Sequence, residues 1–117
     1  DWIFLSTNKK KIKLFNDMFT STIDVKSCAN YIIKLTLKNS VGIFNLGSKN
    51  QVSKKEFALK FAKKLGLKLN YESVSTKIYA IKRGKYLGMN VNKIEKKLNT
   101  NMPTTNKVIN NIVKDYK

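Results

Sequence analysis

The stretch from Gly42 to Gly66 constrains this chain more than any other. Gly42-Ile43-Phe44-Asn45-Leu46-Gly47 is a short apolar run between glycines and reads as a buried strand. Ser53-Lys54-Lys55-Glu56 follows as a capping box, in which a hydroxyl takes a free backbone N–H and the glutamate reaches back. The helix it opens carries Phe57, Ala58, Phe61, Ala62 and Leu65 on one side, and Gly66 stands where a left-handed cap stops it. A strand, a loop and a capped helix in succession form one local unit. Ile43, Phe44, Phe57, Phe61 and Leu65 are expected in one shared core.

The flanking sequence extends this pattern. Ile12 to Phe15 reads as a short strand ending at Asn16-Asp17. Residues 18–24 are polar and extended, with Ser21, Thr22 and Asp24 each able to cap a helix. Val25, Ala29, Ile32, Ile33 and Leu37 then recur at helical spacing and predict a buried stripe, ended by Asn39-Ser40. Cys28, beside that stripe, reads as a small buried hydrophobe. Residues 67–74 alternate and predict a strand, and 75–89 an extended surface loop. Asn90 caps a short helix with Val91, Ile94 and Leu98. After Met102-Pro103, Thr104 caps a last helix burying Val108, Ile109, Ile112 and Tyr116.

Composition removes whole classes of chemistry. Cys28 is the only cysteine and there is no histidine, so neither an intrachain disulfide nor a Cys/His zinc site nor histidine-based triad chemistry is available. No apolar run approaches the roughly 20 residues of a membrane helix. The 117 residues amount to one domain. They begin at Asp1 without an initiator Met, which reads as a start inside a longer protein. Trp2, Ile3, Phe4 and Leu5 are the apolar residues such a piece would leave bare.

The net charge of +17, from 24 Lys+Arg against 7 Asp+Glu, raises the possibility of a nucleic-acid partner. The basic residues argue otherwise. All but Arg83 are lysines, and base readers and phosphate clamps favour the planar arginine fork. The lysines are also scattered, apart from Lys9-Lys10-Lys11-Lys13. A solvated lysine surface is the better reading, and a Lys-rich nucleic-acid-binding protein is the alternative from a different class. No Gly-rich dinucleotide fingerprint, complete phosphate loop or paired carboxylates at helical spacing occur.

Five segments, in order, carry a resemblance. Phe19-Thr20-Ser21-Thr22-Ile23-Asp24-Val25-Lys26-Ser27-Cys28-Ala29 is similar to a Phe-Gly-Ser-Pro-Thr-Tyr-Val-Asp-Asp-Leu-Ala segment. Gly42 to Gly47 is similar to Gly-Ile-Tyr-Asn-Val-Gly. Val52-Ser53-Lys54-Lys55-Glu56-Phe57-Ala58 is similar to Val-Ser-Arg-Tyr-Glu-Phe-Ala. Met89-Asn90-Val91-Asn92-Lys93-Ile94 resembles Leu-Asp-Thr-Ser-Lys-Leu, and Met102-Pro103-Thr104 resembles Leu-Pro-Ser. These are segments of the extended short-chain dehydrogenase/reductases, in particular the dTDP-4-dehydrorhamnose reductase family. The chain departs from them at Thr22, where the family has proline, at Lys26 and Ser27, where it has aspartates, and at Arg83-Gly84, where it has Arg-Pro.

The resemblance implies a fold and a role. The fold is the C-terminal part of a Rossmann-like α/β enzyme, with short strands and about four helices, so residues 1–117 form a single partial domain. The role is the substrate-binding part of an NAD(P)-dependent nucleotide-sugar reductase that supplies precursors of rhamnose-containing polysaccharides in the cytoplasm. A sugar-nucleotide epimerase or dehydratase is the alternative within the superfamily. The Gly-rich loop and the Tyr-x-x-x-Lys pair of the family belong to an N-terminal half that this chain lacks. The chain alone is therefore expected to be inert and to bind no cofactor, with NADP or NAD held by the full-length parent. That parent would reduce a C4 ketone with hydride from nicotinamide and a proton from the absent tyrosine. Implied partners are the nucleotide-sugar, the N-terminal half and a second copy in a homodimer. Arg83 matches a loop arginine that meets the nucleotide's phosphates, where its fork offers two-point binding. Lys82 and Lys85 would add positive field, and Asn45 and Asn50 flank the strand exit where ligands approach.

Overall fold

A parallel pair of short strands forms one centre of the molecule. In the computed structural model, which describes residues 10–80, 82 and 84–116, β1 spans Ile12–Phe15. It pairs in parallel with a strand at Tyr71–Val74, Ile12 opposite Tyr71 and Phe15 opposite Val74. Between the two in sequence come β2 (Phe19–Thr20), α1 (Val25–Leu37), β3 (Val52–Ser53) and α2 (Lys54–Lys64). Tyr71–Val74 is β4. A 3-10 turn at Thr76–Ile78, β5 (Tyr86–Leu87), α3 (Asn92–Leu98) and α4 (Thr105–Tyr116) follow. The second sheet has the order β3-β2-β5, with β2 antiparallel to β3 and parallel to β5. Among the described residues the α/β class and four helices are present, against the about four expected from the sequence.

The helix ends form as the local sequence predicts. Ser53 Oγ accepts the Glu56 N–H at 3.1 Å. The glutamate turns outward to Lys60, 2.7 Å away, so only the hydroxyl half of the capping box is made. At the other end Gly66 has φ 73°, its N–H goes to Lys63 O, and the Leu67 N–H goes to Ala62 O. This is a Schellman stop. It uses Leu67, which is one reason β4 begins only at Tyr71 and not at residue 67 as the alternation predicted. The end of α1 repeats the device with Asn39 at φ 45°, bonded to Thr36 O, and the Ser40 N–H bonded to Leu35 O.

Among the described residues burial is divided among three clusters. Ala58 of α2 packs on Ile12 and Leu14 of β1. Phe61, on the same helix, packs on Ile109 and Val113 of α4, with Phe57, Leu65 and Ile112 at the margin. The third cluster joins Val91, Ile94 and Met102 to the half-buried Ile23, Tyr31, Leu35, Phe44 and Leu46. Phe44 thus belongs to a different cluster from Phe57, Phe61 and Leu65, and Ile43 is 85% exposed, so the single core expected for residues 42–66 is not formed. In α4 the buried residue of the last turns is Val113, one helical step from Ile109, while Tyr116 is mostly exposed and sets only its ring edge against Phe61.

Two further expectations fail together. Gly42–Gly47 is not a strand, because no other segment among the described residues pairs with it. Helix α1 has its predicted limits but buries none of its residues. Val25, Ala29, Ile32, Ile33 and Leu37 all face outward, and Cys28 is half-buried. The rotation of α1 has a physical cause. Asp24, itself buried, accepts the Ser27 N–H at 2.9 Å and the Asn111 amide of α4 at 3.2 Å, which fixes the first turn. Tyr31 and Leu35 then turn onto the third cluster. The molecule measures 49 × 37 × 17 Å. Helix α1 is covered on its inner side by the third cluster and exposed on the other.

Candidate functional site

A hollow of about 470 Å3 opens between β1 and the start of α2. Its walls are Ile12, Leu14, Phe15, Phe57 and Ala58, and its polar groups are Thr20, Thr22, Lys13 and Lys54. The size and the apolar lining with few polar groups are those of a small-molecule site. The Thr20 and Thr22 hydroxyls lie 3.3 Å apart, a donor–acceptor pair facing the same space. Nothing in the sequence reading singled out this hollow, since its residues come from β1, β2 and α2 and no local spacing unites them.

The loop after β4 is tied to the rim of this hollow at both ends. At its start, the Asp17 carboxylate accepts the Ser75 hydroxyl at 2.6 Å, the Thr76 N–H at 2.8 Å and the Thr76 hydroxyl at 3.1 Å. These hydrogen bonds, the one from Ser75 foremost, hold Asp17 below the usual aspartate value. Tyr79 then leans its ring on Phe15, with centroids 5.7 Å apart. At its end, the Phe19 N–H goes to Lys85 O at 2.7 Å, Tyr86 stacks on Phe19 at 5.5 Å, and Leu87 pairs with Thr20. Lys82 and Lys85 lie on the loop between these ties, and both are exposed. Arg83 lies outside the described residues.

Asn45 and Asn50 are placed elsewhere. The Asn45 amide donates to Asn90 O at 3.0 Å. Asn90 lines a second, more polar hollow of about 390 Å3 with Ser21, Lys49, Gln51 and Gly88. Asn50 directs Oδ1 at the Thr105 N–H at 2.9 Å, and its carbonyl accepts the hydroxyls of Ser48 and Thr105. Its side chain therefore caps α4. Gly47 completes this corner, because a Cβ there would sit 2.8 Å from the Ser21 carbonyl oxygen. The sequence-predicted residues thus divide into Lys82 and Lys85, exposed on the loop after β4 and not among the residues that line the first hollow, and Asn45 and Asn50 at the corner beside the second.

The starts of the three longer helices offer no seat for a dinucleotide. A pyrophosphate requires free N–H groups at a glycine-rich helix start. Here the start of α1 is taken by a carboxylate, Asp24. The start of α2 is taken by Ser53, with Glu56 in the first turn, and that of α4 by Asn50.

No family model and no curated protein matches the sequence. Solved structures match the fold. A dTDP-4-dehydrorhamnose reductase from Bacillus anthracis str. Ames, solved with NADP, superposes with a TM-score of 0.88 at 23% identity over 97% of this chain and 41% of that one. The corresponding protein of Clostridium acetobutylicum gives 0.82 at 17% over 99% and 42%. A dTDP-glucose 4,6-dehydratase from Bacillus anthracis, solved with NAD, gives 0.74 at 18% over 98% and 37%. The fold is therefore that of Rossmann-like nucleotide-sugar enzymes. In particular it is the fold of dTDP-4-dehydrorhamnose reductases, of whose length the chain spans about two fifths.

Proposed function

We propose that the chain is the substrate-binding part of an NAD(P)-dependent nucleotide-sugar reductase of the dTDP-4-dehydrorhamnose reductase type, working in the cytoplasm on polysaccharide precursors. The observation that carries this reading is the cationic loop tied at both ends to the rim of an apolar hollow. Such a hollow suits a flat base and a sugar ring, and a lysine- and arginine-bearing loop suits the diphosphate that joins them. Two reductases superpose better than the dehydratase, at TM-scores of 0.88 and 0.82 against 0.74, which supports the reductase branch, while a third reductase equals it at 0.74. The dinucleotide then belongs to a further, N-terminal half, and the chain alone is inert. Arg83 is assigned to the diphosphate with Lys82 and Lys85 as supporting charge, while Asn45 and Asn50 act by holding the loop corner.

The test is a titration of the 15N-labelled chain with dTDP, followed by amide shifts. Residues Lys13, Phe15, Thr20, Thr22 and 82–85 should move with dTDP and not with NADPH. Arg83→Ala should weaken dTDP binding by about 1.5–3 kcal/mol, the loss of a charge-assisted bond, or roughly tenfold to over a hundredfold. Arg83→Lys should recover only part, because the fork is lost. Shifts spread evenly over the lysines and abolished by salt would mean non-specific charge and overturn the assignment.

A further inference from the structure

From Lys77 to Asn90 no described residue is buried, so apolar burial does not hold the loop after β4 in its place. Its place depends on polar ties, and these converge on the short strap 17–20. Both oxygens of Asp17 serve the start of the loop. Oδ2 accepts the hydroxyls of Ser75 and Thr76, and Oδ1 accepts the Thr76 N–H. Ser75 Oγ in turn accepts the Lys77 N–H at 3.2 Å and caps the 3-10 turn. Thr76, at 5% exposure, is the last buried residue before the loop runs out into solvent. The end of the loop returns to the same strap, where Tyr86 and Leu87 pair with Phe19 and Thr20. The strap itself is fixed by its other neighbours. Phe19 and Thr20 pair with Ser53 and Val52, and Met18 O accepts the Lys54 N–H at 2.9 Å. Residues 77–85 are thus a surface loop whose two ends are joined through one fixed segment.

We propose that Asp17 is a positioning residue for a nucleoside diphosphate: it fixes the point at which the cationic loop leaves the body of the protein, and so keeps Lys82 and Lys85 in a binding-competent arrangement. This rests on the functional reading above and adds to it the residue on which the loop depends. Asp17 is not among the residues that line the hollow, so it acts through the loop and not by touching the ligand. A loop tied only at its Phe19 end would sample many arrangements, and apparent affinity falls with the fraction that is competent. A carboxylate suits the task, because bonds to an ionised acceptor are stronger than neutral ones. The bonds from Ser75 and Thr76 hold the Asp17 carboxyl below its ordinary value, as expected where they favour the ionised form.

The test compares thymidine with dTDP on the 15N-labelled chain, as wild type, Asp17→Asn and Ser75→Ala. Thymidine reports the hollow alone, and the ratio of the two dissociation constants reports the loop. Asp17→Asn keeps an acceptor for the Thr76 N–H, loses the charge and turns an N–H toward two hydroxyls. It should weaken dTDP about tenfold, as expected for a lost charge-assisted bond, and leave thymidine within about twofold, since β1 and α2 supply the walls. The amides of Ile78 and Tyr79, bonded within the turn, should exchange faster while those of β1 do not change. Ser75→Ala removes the 2.6 Å bond from the loop side and should act in the same direction. The double variant should lose little more than either alone, because the two residues share one bond. Ser75→Ala also carries the test if Asp17→Asn does not fold. Equal weakening of thymidine and dTDP would make Asp17 a support of the whole fold and overturn the proposal. Variants that keep the wild-type ratio would overturn it as well, and the diphosphate reading would stand. A wild-type chain that binds dTDP no more tightly than thymidine would overturn the functional reading, and this proposal with it.

Discussion

Helices α1 and α2 are built by the same local rules and have opposite fates. Each starts on a side-chain cap, Asp24 or Ser53, and each ends on a left-handed residue, Asn39 or Gly66. Each carries an apolar stripe. Helix α2 lies between β1 and α4 and buries Ala58, Phe61 and Ala62, whereas α1 buries nothing. The stripe of an amphipathic helix records that a face requires cover. It does not record that the same chain supplies it.

The largest effect that separates the two helices is expected at Phe61. Phe61→Ala removes a ring that is 5% exposed between Ile109 and Val113, and should cost about 3–5 kcal/mol in urea unfolding. Ile33→Ala should stay within about 0.5 kcal/mol, since Ile33 is 57% exposed. Equal losses would mean that α1 is covered, and the contrast would be gone.

Next in size is Ile94→Ala, at about 2–5 kcal/mol. Ile94 is fully buried in the cluster that receives the inner side of α1. The same variant should increase exchange of α1 amides more than those of α2, which would show that α1 depends on this one support.

The caps sharpen the comparison at a smaller scale. Ser53→Ala should cost about 1 kcal/mol. Asp24→Ala should reach the upper end of the capping range, about 2 kcal/mol, because it also leaves the Asn111 amide with only the Ser27 hydroxyl of its two acceptors. If the two were equal, Asp24 would be an ordinary cap and would not fix the rotation of α1.

The smallest effect is acid dependence. Burial raises the Asp24 carboxyl, but the bonds from the Ser27 N–H, Asn111 and the Ser27 hydroxyl outweigh it and leave the group below its ordinary 3.8. Asp17 is lowered by its bonds from Ser75 and Thr76. Folding therefore favours both carboxylates. Their contribution is complete above the ordinary aspartate value and is lost as pH falls through the lower folded values. Urea midpoints should fall in that acid window, and Asp24→Asn or Asp17→Asn should flatten the fall. An unchanged slope in both variants would place the acid sensitivity elsewhere.

Local structure was legible where a single turn of chain decides it. The limits of β1 and α1, the Ser53 cap, the Gly66 stop, the short helix after Asn90 and the break at Pro103 all follow from propensity and from backbone groups seeking partners a few residues away. The family likeness was legible too, from five short segments in order. The hollow beside β1 was not, because Phe15, Thr20, Thr22 and Phe57 meet only when β1, β2 and α2 come together. Nor was the role of Asn50, whose amide meets Thr105 far along the chain.

The sequence by itself determined which segments become helices, where they start and stop, and which of their faces are apolar. Tertiary structure alone decided which of those faces are covered. Burial depends on what lies opposite a face, and for Phe61 that is α4 of the same chain, while for Ile32, Ile33 and Ile43 it is no described residue.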